Sequence, residues 1–148
     1  MRNLITIFIL SFTISPALAQ CPAELAIYKH NESKDFSITF SKQKDPKAWS
    51  NLQATMKTPS RHFDFEFTAS NGYSINYMVI LTKGIKIEQD LPVLFLDHKL
   101  KSLDLPQAGN PAPEFIIASE LGPWLYYAGF KKQEFIPTGI WKLGGCQK

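Results

Sequence analysis

His62-Phe63-Asp64-Phe65-Glu66-Phe67-Thr68-Ala69 alternates ring and polar side chains through its first seven residues. Successive residues of a strand point to opposite faces. This stretch therefore sets three phenylalanines on one face and a histidine, two carboxylates and a hydroxyl on the other. That is the pattern of a strand with one side in a core and the other in water. Ser70-Asn71-Gly72 follows as a turn signal, and Ile75, Tyr77, Val79 and Leu81 resume the alternation. The faces suggest a register for this hairpin. A two-residue Asn71-Gly72 turn places Phe65 opposite Met78 and Phe67 opposite Asn76. A three-residue loop over 70–72 places Phe67 opposite Ile75, Phe65 opposite Tyr77 and Phe63 opposite Val79. The second arrangement gathers the apolar residues of both strands on one face and is the expected one. Gly72 then takes the left-handed conformation that glycine adopts at least cost. Phe63, Phe65, Phe67, Tyr77 and Val79 are the expected core of the hairpin.

The same period recurs on either side. Residues 24–29 carry Leu25 and Ile27 on one face, and Phe36, Ile38 and Phe40 alternate with Ser37, Thr39 and Ser41. Further strand candidates are 85–87, 93–96, 115–118 and 140–143. Two segments read as helix. Asp45 is a capping residue, Pro46 suits a first helical position, and Trp49, Leu52 and Met56 share a stripe, so a helix is expected within 45–57 before Thr58-Pro59. A shorter helical turn is expected at 124–128, stopped by Gly129. Three prolines in 106–113 exclude a helix or a central strand and mark a surface crossing. With no internal repeat and no dividing linker, residues 20–148 are expected to form a single, mainly β domain. Its architecture should be a curled antiparallel sheet, a small sandwich or a barrel-like closure, with one or two short helices.

The ends of the chain carry a second argument. Arg2, the apolar run at 4–14, Pro16 and Ala17-Leu18-Ala19 compose a secretory signal cleaved after Ala19. The run is shorter than the roughly 20 residues a membrane span needs. Leu18-Ala19-Gln20-Cys21 also resembles a lipoprotein signal, but Gln20 is larger than the residue such signals place before the cysteine. Cys21 and Cys146 are the only two thiols. In an oxidising compartment they are expected to pair, with Gly144-Gly145 giving the backbone room to reach and the 24–29 and 140–143 strands brought side by side. The expected location is periplasmic or secreted.

The formal net charge is +3, or +2 without Arg2, far from a nucleic-acid footprint. The basic residues cluster, however. Lys29, Lys34, Lys42, Lys44, Lys47, Lys57 and Arg61 stand against Glu32, Asp35 and Asp45. Such a region either touches an anionic surface, such as lipid headgroups or wall polymers, or is a solvated face.

Reactive motifs are scarce. His62, Asp64 and Glu66 form a row about 7 Å apart on one strand face, able to offer ligands to a divalent cation or a base with its orienting partner. The plain alternative is a strand face turned to water. Asp97 and His98 are adjacent and so point apart, and His30 precedes a turn at 31–33. No nucleophile elbow, zinc-helix motif, phosphate loop or nucleotide fingerprint is present. No cofactor is implied. Trp124, Tyr126, Tyr127 and Phe130 crowd into seven residues, more rings than one buried face accepts, and form the candidate binding patch. The expected function is an exported, non-catalytic binding or accessory protein with a protein or glycan partner in the cell envelope. The alternative is a small hydrolase or metal-dependent enzyme using His62, Asp64, Glu66 and His98.

Overall fold

A computed structural model describes residues 21–70, 72, 75–82, 90–127 and 136–148. The segment read as a signal, the strand candidate at 85–87, Asn71, Gly129 and Phe130 lie outside them. The described strands are β1 (Ala26–His30), β2 (Ser37–Lys42), β3 (Leu52–Lys57), β4 (His62–Ala69), β5 (Asn76–Ile80), β6 (Leu91–Leu96), β7 (Ser102–Leu103), β8 (Phe115–Ile117) and β9 (Ile140–Cys146). Each of β1 to β6 pairs antiparallel with its successor, β6 pairs with β8, β8 with β9, and β9 returns to β1. The result is a closed, barrel-like sheet of eight antiparallel strands. The two-residue β7 pairs with β6 and is not one of the eight.

The interior follows the period-two pattern. Tyr28, Ile38, Phe40, Leu52, Met56, Phe63, Phe65, Phe67, Met78, Leu91, Phe95 and Trp141 are the large side chains sealed from water. An eight-stranded barrel has an interior on the scale of such side chains. Tyr28 tilts against Phe40, Phe40 against Phe67, and Phe67 meets Phe95 edge to face, with ring centroids 5.0–5.5 Å apart. These spacings suit the attraction between ring edges and faces.

The phenylalanines of β4 point inward as expected, but the β4–β5 register differs. Phe67 pairs with Met78, Phe65 with Ile80 and Glu66 with Val79. The connection spans 70–75 rather than 70–72, with the Ser70 N–H donating to the Ile75 carbonyl over 2.8 Å. The longer loop shifts β5 by three positions, an odd number, so its faces exchange. Met78 and Asn76 enter the core, while Tyr77 and Val79 stand half-buried outside. Gly72 does hold the left-handed conformation, with φ 96°. In β1 the faces are likewise exchanged: Ala26, Tyr28 and His30 are buried, Ile27 is half-buried and Leu25 is exposed.

The helix expected within 45–57 is not formed. Leu52–Lys57 is strand β3, hydrogen-bonded on one edge to β2 and on the other to β4. Leu52 and Met56, as i and i+4, share a face in a helix and in a strand alike, and Ala54 between them is buried with them, as only the strand allows. Asp45 does cap, but a single turn: its Oδ1 accepts the Lys47 N–H and its carbonyl the Ala48 N–H. Trp49 is left exposed.

Cys21 and Cys146 are joined, with Cα atoms 5.8 Å apart. The bond lies beside the seam where β1 meets β9, with Ala26 opposite Cys146. Gly144 and Gly145 are not in the left-handed conformation; the positive-φ glycines among the described residues are Gly72, Gly109 and Gly139. Gly144 instead occupies the bulge between the Ile27–Gly145 and Tyr28–Leu143 pairs, where a Cβ would press on the Lys29 side chain at 3.0 Å.

Both mouths of the barrel are covered. At the disulfide end, a 3-10 turn at Ala23–Leu25 and the proline-rich crossing fold over the opening. The Ala23 N–H donates to Asn110, Ala112 donates to Cys21, and the Tyr28 hydroxyl donates to the Pro113 carbonyl over 2.9 Å. The Ser50 hydroxyl donates to Pro106, and Asn51 Oδ1 accepts the Ala108 N–H. At the opposite end the cover among the described residues is helix α1 (Leu121–Tyr127).

Candidate functional site

Helix α1 is seven residues long, and its sequence divides its faces. Leu121 and Leu125, one turn apart, are fully buried, and Gly122 lies beside them. A Cβ on Gly122 would collide with the Ile136 carbonyl oxygen, so only glycine lets the helix sit this close to the segment leading into β9. Pro123 falls in the first turn, where its missing N–H costs no hydrogen bond. Trp124 is half-buried and stacks on the interior Phe65, with ring centroids 6.4 Å apart and planes 29° from parallel. Trp124 is thereby a plug for this mouth of the barrel.

The other face of α1 carries Tyr126 and Tyr127. Tyr127 is 83% exposed and Tyr126 46%, and their rings meet edge to face at 5.3 Å. Of the four aromatic residues singled out in the sequence, one thus braces the helix and two face water; Phe130 lies outside the described residues. The pair presents a ring face and a hydroxyl on a helix held by three buried or half-buried neighbours. Such a surface offers apolar contact together with hydrogen bonding at small entropic cost.

The polar row stands where the alternation places it, on the outer face of β4. His62 is exposed, while Asp64 and Glu66 are half-buried. Asp64 is already engaged: its Oδ1 accepts the Thr55 hydroxyl at 2.7 Å, and its N–H donates to Thr82. His62 begins β4 at the helix end, whereas His98 sits in the turn after β6 at the disulfide end. The barrel separates them. No group of three or more His, Cys, Asp or Glu side chains able to hold a metal ion occurs among the described residues.

His98 borders an open groove of about 1090 Å³ beside the disulfide, lined also by Cys21, Cys146, Asp97 and Glu114. Its carboxylates have structural work. Asp97 Oδ1 accepts the N–H groups of Lys99 and Lys101 at 2.8 and 2.9 Å, and the Lys101 bond chiefly holds this carboxyl below its ordinary range. Glu114 pairs with Lys142 at 3.9 Å.

One buried polar cluster escaped the sequence reading. His30, the last residue of β1, is 4% exposed. Its Nδ1 accepts the Glu32 N–H at 3.2 Å, which leaves the ring proton on Nε2 to donate to the Thr138 carbonyl at 3.1 Å. The ring lies edge-on to Trp141 at 5.1 Å. The Trp141 indole N–H is buried without an acceptor among the described residues. The cluster ties the β1–β2 turn to the start of β9, a structural task that a histidine before a turn does not announce.

No protein-family model matches this chain, and no curated protein and no solved structure matches it.

Proposed function

We propose that the protein is an exported binding or accessory protein without a catalytic role, and that it recognises a protein or glycan of the cell envelope through α1. The observation that carries this reading is the Tyr126–Tyr127 pair, two exposed rings on a helix whose other side is locked into the barrel mouth by Leu121, Leu125 and Trp124. A tyrosine on an anchored helix has only two side-chain torsions to fix on binding, which favours such residues as anchors. The disulfide is in keeping with the oxidising space outside the cytoplasm. The test is retention on a delipidated envelope fraction, comparing the native chain with a Tyr126→Ser, Tyr127→Ser variant. Retention of the native chain and its loss in the variant is the expected result. Equal retention of both would overturn the assignment to α1.

A further inference from the structure

The disulfide end of the barrel carries two turns with apolar tips that the core does not account for. In the β2–β3 loop, Trp49 is 66% exposed, two residues beyond Lys47 and near Lys44, with Lys42 at the root of the loop. In the β6–β7 turn, Leu100 is 65% exposed between Lys99 and Lys101. Leu100 also has φ 62°, a left-handed conformation that residues with a branched side chain rarely take. Nothing in the turn calls for leucine. Asp97 builds it by accepting the Lys99 and Lys101 N–H groups on its side chain and the Leu100 N–H on its carbonyl. Asparagine or glycine would hold the same backbone with less strain and no apolar surface in water. Strain kept at an exposed tip points to a use for that side chain.

The two loop segments that carry the tips are both net positive. Residues 42–51 and 97–101 contain five lysines and two aspartates. Both aspartates are turned to backbone N–H groups, Asp45 to Lys47 and Asp97 to its own turn. Lys42 lies 3.9 Å from Glu24, while its side chain remains 73% exposed. Tryptophan settles at the water–lipid boundary, leucine enters the acyl region, and lysines gather at anionic headgroups. We propose that this end of the barrel docks on a bilayer surface rich in anionic lipid, with Trp49 and Leu100 entering the interface and the lysines meeting headgroup phosphates. Docking there leaves α1, at the opposite mouth, facing away from the membrane.

The test is co-sedimentation of the full chain with phosphatidylglycerol-containing vesicles and with phosphatidylcholine vesicles. Binding to the first alone, weakening as salt is added, is expected. A Trp49→Ser, Leu100→Asn variant should bind at least about tenfold more weakly. A Lys47→Gln, Lys99→Gln variant should lose about fivefold for each lysine removed. Both variants change exposed tips, and a native circular-dichroism spectrum is the check that they fold. Absence of vesicle binding, equal binding to both lipids, or anionic binding indifferent to Trp49 and Leu100 would each overturn the proposal. The last of these outcomes would identify a lysine-only polyanion surface instead. None of the outcomes bears on α1, which the envelope-retention test reads separately.

Discussion

Phe65 and Glu66 are neighbours in the chain and opposites in the fold. Phe65 is sealed in the barrel between Ala54 on β3 and Ile80 on β5, under the Trp124 ring, while Glu66 stands on the half-exposed outer wall. Replacing Phe65 with alanine removes a whole ring from a packed interior and should cost ~3–5 kcal/mol. Replacing Glu66 with glutamine should change stability by no more than ~0.5 kcal/mol. Urea titrations of the two variants measure the contrast, and equal losses would mean that both faces of β4 are covered. Tyr28 gives a second expectation, in pH. Burial, and then the Glu114 carboxylate, push its hydroxyl above the ordinary 10.0, because ionisation would leave a charge away from water. A raised folded value means that the contribution is intact below 10.0 and is lost as the pH climbs beyond it. Tyr28→Phe should cost about 1 kcal/mol at neutral pH through the bond to Pro113. It should also flatten part of the alkaline decline. Parallel declines in the two proteins would show that Tyr28 does not ionise during unfolding.

At the scale of elements, what was legible in the chain was whatever a single strand decides for itself. Phe36, Ile38 and Phe40, and again Phe63, Phe65 and Phe67, name their inner face without help from neighbours. What depended on partners was misread. Residues 45–57 satisfy a capped helix locally, and only the ladders to β2 and β4, whose partners include Ser37 opposite Lys57 and Glu66 opposite Gln53, convert 52–57 into a strand. The β4–β5 register hung on a loop length that a turn signal at Ser70-Asn71-Gly72 does not settle. The aromatic surplus around α1 was visible as a count of rings. Which of them brace the helix and which face water needed Phe65 and the two leucines in place. Gly122 now has a defined role in that division. Alanine there must displace the Ile136 backbone, so Gly122→Ala should destabilise by ~1–3 kcal/mol and loosen the helix on its seat. Faster amide exchange across α1, with the strands of β2 to β4 unchanged, is the expected signature. Unchanged exchange throughout would show that the contact yields without cost.

For the molecule as a whole, the question is whether the covalent link or the hydrogen-bonded seam closes the barrel. The disulfide joins residues 125 positions apart, so in the loop-entropy model it raises stability by up to ~5 kcal/mol by restricting the unfolded chain. Other contacts span the same seam in the folded chain. Five residue pairs join β1 to β9, Gln147 donates from its backbone to Leu25, and its side-chain amide donates to the Phe40 carbonyl at 2.7 Å. None of these contacts is made by a sulfur atom. A Cys21→Ser, Cys146→Ser chain should therefore retain the β spectrum and the buried Trp141 environment, with its unfolding free energy lowered by ~3–5 kcal/mol. Denaturant unfolding followed by both far-ultraviolet circular dichroism and tryptophan emission separates the two roles. A double variant unfolded in plain buffer would show that the seam cannot close alone, and an unchanged midpoint would show that the link adds nothing to it. The expected result lies between them: one cooperative transition, shifted to lower denaturant, in a barrel that its own terminal strands still hold shut.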